Sequence, residues 1–394
     1  MSSSPDGQSK SGAPQKHANG TPASLGYRMP AEWHPHAATW LSWPKDPLTW
    51  PDRVPQAREI FIRMIEVLAE HEIVNLLVDD EETAEDVRRR MTWPQASNVR
   101  LHLIPTVDSW MRDYGPNFVV RADAVKGAVK GGAKNGAKNG AKNGTVGGTL
   151  GGAVAFNDWG FNAWGGKYET LKADNGVPVL LEPLLGVPRF DVNHIVLEGG
   201  SIDVNGAGVV MTTEQCLLNA NRNPKMDRRE IERALCDHLG VTQVLWLGEG
   251  VAGDDTDGHI DDIARFASET TIVCAVEDDP ADPNHRALQD NVRRLELARD
   301  VHGQPYRIVM LPMPGAVLAE GERLPASYAN FYIANRVVLL PVFGHANDRR
   351  AIDLLQRLFA DRRVVPINCE PLVWGMGAIH CVTQQQPAAP GSLL

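Results

Sequence analysis

The chain has 394 residues, 43% of them apolar, and a formal net charge of −10. That length supplies ample core for two domains or an assembly of repeated units, and the acidic balance argues against nucleic acid or an anionic membrane as partner while favouring a cationic one. Five cysteines (Cys216, Cys236, Cys274, Cys369, Cys381), odd in number and without a C-x-x-C pair, fit neither a disulfide framework nor a zinc site and suggest a reducing compartment.

Residues 1 to 26 are rich in Ser, Gly, Pro, Gln and Lys with no apolar stretch of the signal-peptide kind, so a disordered tail on a cytosolic protein is expected. No apolar run approaches the roughly 18 residues that span a bilayer. Order is expected from Tyr27, with a buried strand at Ala38 to Trp43. From Pro55 to Glu70 the apolar residues Ile60, Phe61, Met64, Ile65 and Leu68 recur at three and four, which predicts a helix. A strand at Ile73 to Val78, a short helix at Thr83 to Met91 opened by a Thr83–Asp86 capping box, and a strand at Val99 to Ile104 follow. The polar run Asp108 to Pro116 then sits on a strand-end loop before a strand at Asn117 to Val120.

Between 126 and 152 the composition collapses to Gly, Ala, Lys and Asn, with Ala-Lys-Asn-Gly repeated three times. A flexible surface insert is expected there. Strands are predicted at Ala153 to Phe161 and His194 to Leu197, with Gly208 to Thr212 returning antiparallel to the latter. A helix at Asp227 to Leu239 and a strand at Gln243 to Leu247 precede the densest polar cluster, Gly253 to Asp262. In an extended segment His259 and Asp261 would share one face. Strands at Ile263 to Phe266 and Thr271 to Val276, a helix at Asn284 to Arg299, strands at Tyr306 to Leu311 and Val337 to Phe343, a helix at Arg349 to Ala360 and a strand at Arg363 to Ile367 lead to the terminal segment Gly375 to Pro387.

Polar tips recur at Asp113, Glu198, His259, Asn330 and Cys381, and discounting the insert their spacing approaches a repeat of roughly 60 residues, as expected of similar ββαβ units about an axis. A thiol, an imidazole and three acids (Asp113, Glu198, Asp261) at such tips suggest nucleophilic catalysis on a planar cationic carbon. A guanidinium is a flat fork of N–H donors that carboxylates match two at a time.

The segments Trp110-Met111-Arg112-Asp113-Tyr114-Gly115-Pro116, Leu197 to Ser201, Gly258 to Asp261, Ser327 to Tyr332 and Ile379 to Pro387 together resemble those of agmatine deiminases (agmatine iminohydrolases). These belong to the guanidine-modifying pentein superfamily and stand close to bacterial-type peptidylarginine deiminases. The resemblance spans about Tyr27 to Pro387. It implies a single catalytic domain over 27–390 with the pentein fold, a five-bladed pseudo-symmetric α/β propeller of ββαβ modules around a central active site. It also implies hydrolysis of agmatine to N-carbamoylputrescine and ammonia, a step of putrescine and polyamine biosynthesis, in a cytoplasmic enzyme that forms a homodimer.

Carried over by resemblance, Cys381 is the nucleophile, Asp113 and Asp261 grip the guanidinium, His259 moves protons under the orientation of Glu198, and Asn330 lines the site. No cofactor and no metal are implied. Bland alternatives stand beside these roles: a buried apolar Cys381, a turn-closing Asp113–Arg112 pair, a Glu198 that satisfies backbone donors, a packed His259. Trp110 either stacks on the substrate cation or fills core. Of Asp254, Asp255 and Asp257, Asp255 is the candidate for the distal ammonium, although the cluster could instead hold a cation such as calcium. His380 is assigned to structure, since neighbours on a strand face opposite ways. The rival readings are a deiminase of arginine or peptidylarginine, and a silent relative that binds a cationic metabolite.

Overall fold

The structure, a computed structural model, describes residues 20–121 and 152–392. Residues 1–19 of the expected tail, and all but Gly152 of the expected insert, lie outside the described residues; Ala23–Leu25 forms a short 3-10 helix.

Five sheets share one strand order. In each, a first strand pairs antiparallel with a second, and the second pairs parallel with a third. The sets are Asn117–Val120, Val154–Gly160 and Arg189–Val196; Asp203–Val204, Val209–Thr213 and Gln243–Leu247; Ala264–Ser268, Thr271–Val276 and Arg307–Pro312; Tyr332–Ala334, Val337–Val342 and Arg363–Asn368. In the fifth, the C-terminal strand Gln384–Pro387 lies against His36–Ser42, followed by Ile73–Val78 and an extra parallel strand, Val99–Leu103. The end of the chain thus completes the unit its beginning starts.

A helix links the second strand to its parallel partner in each unit, as a parallel crossover requires: Val54–Ala69, Val177–Leu185, Arg228–Leu239, Asn284–Leu297 and Asp348–Leu358. The first buries Ile60, Phe61, Met64, Ile65 and Leu68, the stripe its three-and-four spacing predicts. Arg228–Leu239 is opened by a reciprocal capping box of Asp227 and Glu230. The central strands are largely buried, Val209–Thr213 and Thr271–Val276 at every position. Among the described residues no helix is long and apolar enough to cross a membrane.

Several local expectations are corrected. The helix expected from Thr83 is Glu81–Arg90, and its cap is Asp80, whose carboxylate accepts from Thr83 N at 2.8 Å; no Thr83–Asp86 box forms. The strand expected at His194 is Arg189–Val196, and it pairs parallel with Val154–Gly160, while Val209–Thr213 pairs with Asp203–Val204. Reading the two as a hairpin missed that the chain leaves one sheet at Glu198 and enters the next. Helix Val177–Leu185 falls in a stretch for which no element was expected; Pro178 occupies its first turn, where the missing N–H costs nothing.

Candidate active site

The polar tips fall at equivalent points of the five units, in the turn just ahead of each first strand. Asp113 lies in the one-turn helix Met111–Tyr114, Glu198 caps the 3-10 turn Gly199–Ser201, and His259 caps Ile260–Asp262, which carries Asp261. Asn330 and Cys381 precede Tyr332–Ala334 and Gln384–Pro387. Their side chains meet. Asn330 Nδ2 stands 3.1 Å from Cys381 Sγ, which lies 3.8 Å from Asp261 Oδ2, and His259 Nδ1 lies 3.9 Å from Asp113 Oδ1. All five residues are buried.

His259 and Asp261 do not belong to an extended segment, as the alternation argument had it; a 3-10 turn separates them, and both still reach the centre. Gly200 makes that convergence possible. A Cβ there would stand 2.6 Å from His259 Nδ1 and 3.0 Å from both Asp113 Oδ1 and Asp261 Oδ2, while its N–H donates to Asp113 Oδ1 at 2.9 Å.

Charge is distributed unevenly among these groups. Burial pushes Asp113 up, and Asp261 and Glu198 add to this against the pull of His259, to a pKa of about 6. Burial opposes a charged His259, yet Asp113 and the Cys216 thiol hold its proton well above the ordinary range. Asp261 remains below the usual carboxylate range because its hydrogen bond and charge interaction with His380 outweigh burial. The Cys381 thiol is pushed well up by burial and by Asp261, Asp262 and Asp113, so it stays protonated until positive charge arrives.

Three supports were not legible in the sequence. First, His380 does not face away from the site: Cys381 follows a turn rather than standing in a strand. His380 Nδ1 bonds Asp261 Oδ2 at 2.7 Å and its Nε2 bonds Glu32 Oε2 at 2.8 Å. Glu32, also held by Arg265 and Arg112, ties the N-terminal segment to the turn that carries Cys381. Second, Glu198 Oε1 accepts from Arg222 Nε at 2.7 Å, and the same guanidinium grips Asp257 at 2.6 Å. No Glu198–His259 hydrogen bond is made. Third, Trp164 Nε1 donates to Asp113 Oδ2 at 2.9 Å from four successive left-handed residues, Ala163 to Gly166. Such a conformation costs a non-glycine residue roughly 1–2 kcal/mol, which marks the turn as one held in place by its surroundings. The local signals available were a lone Glu among aromatics at Glu32 and the polar run Asn219 to Asn223.

Cys381 opens onto a cavity of about 190 Å³. Asp46, Asp108, Asp113 and Asp255 line it, together with Trp110, Trp164, Tyr168, Trp374 and Met376, and among the described residues no Lys, Arg or His does. Trp110 is buried, packs on Gly377, where a Cβ would meet it at 2.5 Å, and lines the cavity. Asp255 stands on the wall, its carboxylate accepting from Tyr168 Oη. Asp254 turns inward to the backbone of its own loop at Gly258 and Asp257 to Arg222 and Asn221, so the cluster offers no converging set for calcium. Among the described residues, the one group with metal-ligand geometry is Glu198, Cys216 and His259.

Residues 28–387 match the family model of Porphyromonas-type peptidyl-arginine deiminases. An agmatine deiminase of Ectopseudomonas mendocina is 36% identical over 395 residues, covering 94% of this chain and 98% of the relative, and one of Pseudomonas aeruginosa is 35% identical over 392 residues, covering 93% and 97%. Among solved structures, the agmatine deiminase of Enterococcus faecalis superposes with a TM-score of 0.82 at 30% identity over 95% of this chain and 99% of that one. The C. jejuni agmatine deiminase with substrate bound gives 0.77 at 26% identity over 92% and 97%. With the mixed α/β fold of those enzymes and a family match over nearly its whole described length, the chain belongs to the Porphyromonas-type peptidyl-arginine deiminase family.

Proposed function

We propose that the chain is an agmatine deiminase, a hydrolase of the C–N bond of a linear amidine, that converts agmatine and water to N-carbamoylputrescine and ammonia. The observation that carries the choice of substrate is the cavity over Cys381, lined among the described residues by four aspartates and no basic side chain. A cation at both ends suits it; the α-carboxylate of arginine would meet like charge, which costs several kcal/mol.

In this reading Asp113 and Asp261 hold the guanidinium, and its positive charge favours the thiolate, so that the Cys381 proton passes to solvent. The thiolate forms a C–S bond to the guanidinium carbon. The C–N bond breaks as His259 hands a proton to the departing ammonia, leaving an amidino-thioether. His259 then takes a proton from water, whose oxygen bonds the same carbon, and the C–S bond breaks to free the ureido product and the thiol. Asn330, which donates toward Sγ, orients the sulfur, and Glu198, fixed by Arg222, supplies negative charge behind the imidazole. Asp255 and Trp110 receive the distal amine and the methylene chain. No step calls on a cofactor.

We read the five like sheets, with their tips in mutual contact, as blades of a five-bladed propeller in one domain over 27–390, and the enzyme as a cytoplasmic homodimer. Ammonia and ureido product are to be assayed with agmatine, arginine and a peptidylarginine. We expect kcat/KM for agmatine at least about 100-fold above that for arginine, the worth of roughly 3 kcal/mol of charge mismatch; peptidylarginine, whose α-carboxyl is an amide, tests the peptide substrate without that charge. Cys381→Ala should abolish turnover while agmatine still binds; a preference for arginine, or turnover by that variant, overturns the reading.

A further inference from the structure

We propose that Glu198, Cys216 and His259 form a site for a soft divalent cation of the zinc class, and that its occupation switches the enzyme off. Cys216 comes from the short helix Glu214–Leu217, whose capping Thr213 accepts from Cys216 N at 3.2 Å. That cap presents the thiol to the catalytic turns from beneath. Ligand atoms of the three residues lie within 4.8 Å of one another, and each residue is at most 1% exposed.

Two of those side chains carry an atom without a hydrogen-bond partner among the described residues, Glu198 Oε2 and His259 Nε2. Buried polar atoms are nearly always paired, and an orphaned pair beside a thiol asks for a ligand. A thiolate, an imidazole and a carboxylate select zinc or cadmium over magnesium or calcium, which prefer oxygen alone. Three protein ligands with a fourth position open is a recurrent zinc arrangement, with metal–ligand bonds of about 2.0–2.3 Å, so the ligand atoms must draw together by roughly 1 Å.

The surroundings support the cation. Arg222 takes the other oxygen of Glu198 and so fixes the carboxylate, the part that outer partners play around bound metals. Its charge is answered by Asp257 at 2.6 Å, and Asp113 adds another negative group 3.9 Å from the ring. On the proposed function a guanidinium reaches His259 through the cavity over Cys381, and a cation would take the same route. Binding by itself depends only on this geometry. The inhibition rests on the proposed role of His259, because an imidazole nitrogen bound to metal no longer carries a proton.

The test uses Cys381→Ala protein, which lacks the other thiol at the cavity, with Cys236→Ser added because Cys236 is partly exposed. Cadmium titration should give one ion per chain with a near-ultraviolet thiolate-to-metal band, displaced by zinc and not by magnesium or calcium. Replacing Cys216 by Ser or by Ala should remove the band; two variants are used so that one folded protein suffices, checked by thermal unfolding. In protein with Cys381 intact, zinc inhibition, taken relative to each variant's own metal-free rate, should weaken at least about tenfold without Cys216. No band in the Cys381→Ala background, or a band that survives loss of Cys216, overturns the site. Binding at the site without inhibition would leave it standing and overturn the role of His259.

Discussion

His380 Nδ1 stands 2.7 Å from Asp261 Oδ2, and Cys381 Sγ lies 3.8 Å from that same oxygen. The imidazole therefore fixes a carboxylate that the proposed chemistry needs on the substrate side. His380→Ala should lower kcat/KM by about 10–100-fold, the usual loss when an orienting partner is removed. His380→Asn, which keeps a short N–H donor, should recover part of it. Steady-state kinetics on folded variants decides; an unchanged kcat/KM in the alanine variant would show that Asp261 is held by other means.

Glu32 is buried between Arg265, Arg112 and His380. Burial alone would raise its carboxyl, but those partners hold it far below the ordinary range. A depressed carboxylate stabilises the fold above its unfolded value of about 4.3, and that contribution falls as the pH drops below it. Glu32→Gln leaves buried guanidinium charge uncompensated and should cost about 3–5 kcal/mol at neutral pH. In urea unfolding the deficit should shrink toward acid.

Asp113 titrates at about 6. As the pH falls through that value it gains a proton and loses the charge that, in the proposed chemistry, holds the guanidinium, so kcat/KM for agmatine should fall on the acid side with a midpoint near 6. That midpoint belongs to the Asp113–His259 pair rather than to either residue alone. A profile flat between pH 5 and 7 contradicts the assignment.

Trp164 donates to Asp113 and so favours its charged form. Trp164→Phe removes the donor and should move the acid midpoint upward, by about 0.4–1 pH unit if the bond is worth about 0.5–1.5 kcal/mol. A shift to lower pH, or none, would mean the ring serves packing alone.

Gly200 has no room for a methyl group facing His259, Asp113 and Asp261. Gly200→Ala should reduce kcat by more than about 100-fold, as expected when catalytic groups are displaced by the order of 1 Å. Circular dichroism and thermal unfolding separate this loss from misfolding.

The stretches legible in the sequence are those in which one residue type repeats along a single element. The stripe of Ile60, Phe61, Met64 and Ile65, the strands at 73–78 and 271–276, and the polar turns at 113, 198, 259, 330 and 381 all carry their signal within a few positions. Expectation failed where an element's partner is distant. Val209–Thr213 is near Arg189–Val196 in sequence yet belongs to the next sheet, and His380 was set aside on an alternation that a turn does not obey.

Most of the elements, helix Val177–Leu185 excepted, and the five recurring turns follow from the sequence by itself, because hydrophobic period and turn chemistry are local. Only the tertiary structure decided which charges meet. Glu32 and His380 bond across 348 positions of the chain, Arg222 secures Glu198, and four aspartates from separate segments line one cavity. Burial and electrostatic interaction depend on distance through space, so the protonation of Asp113, His259 and Cys381, and with it the chemistry they support, exists only once the five turns are brought together.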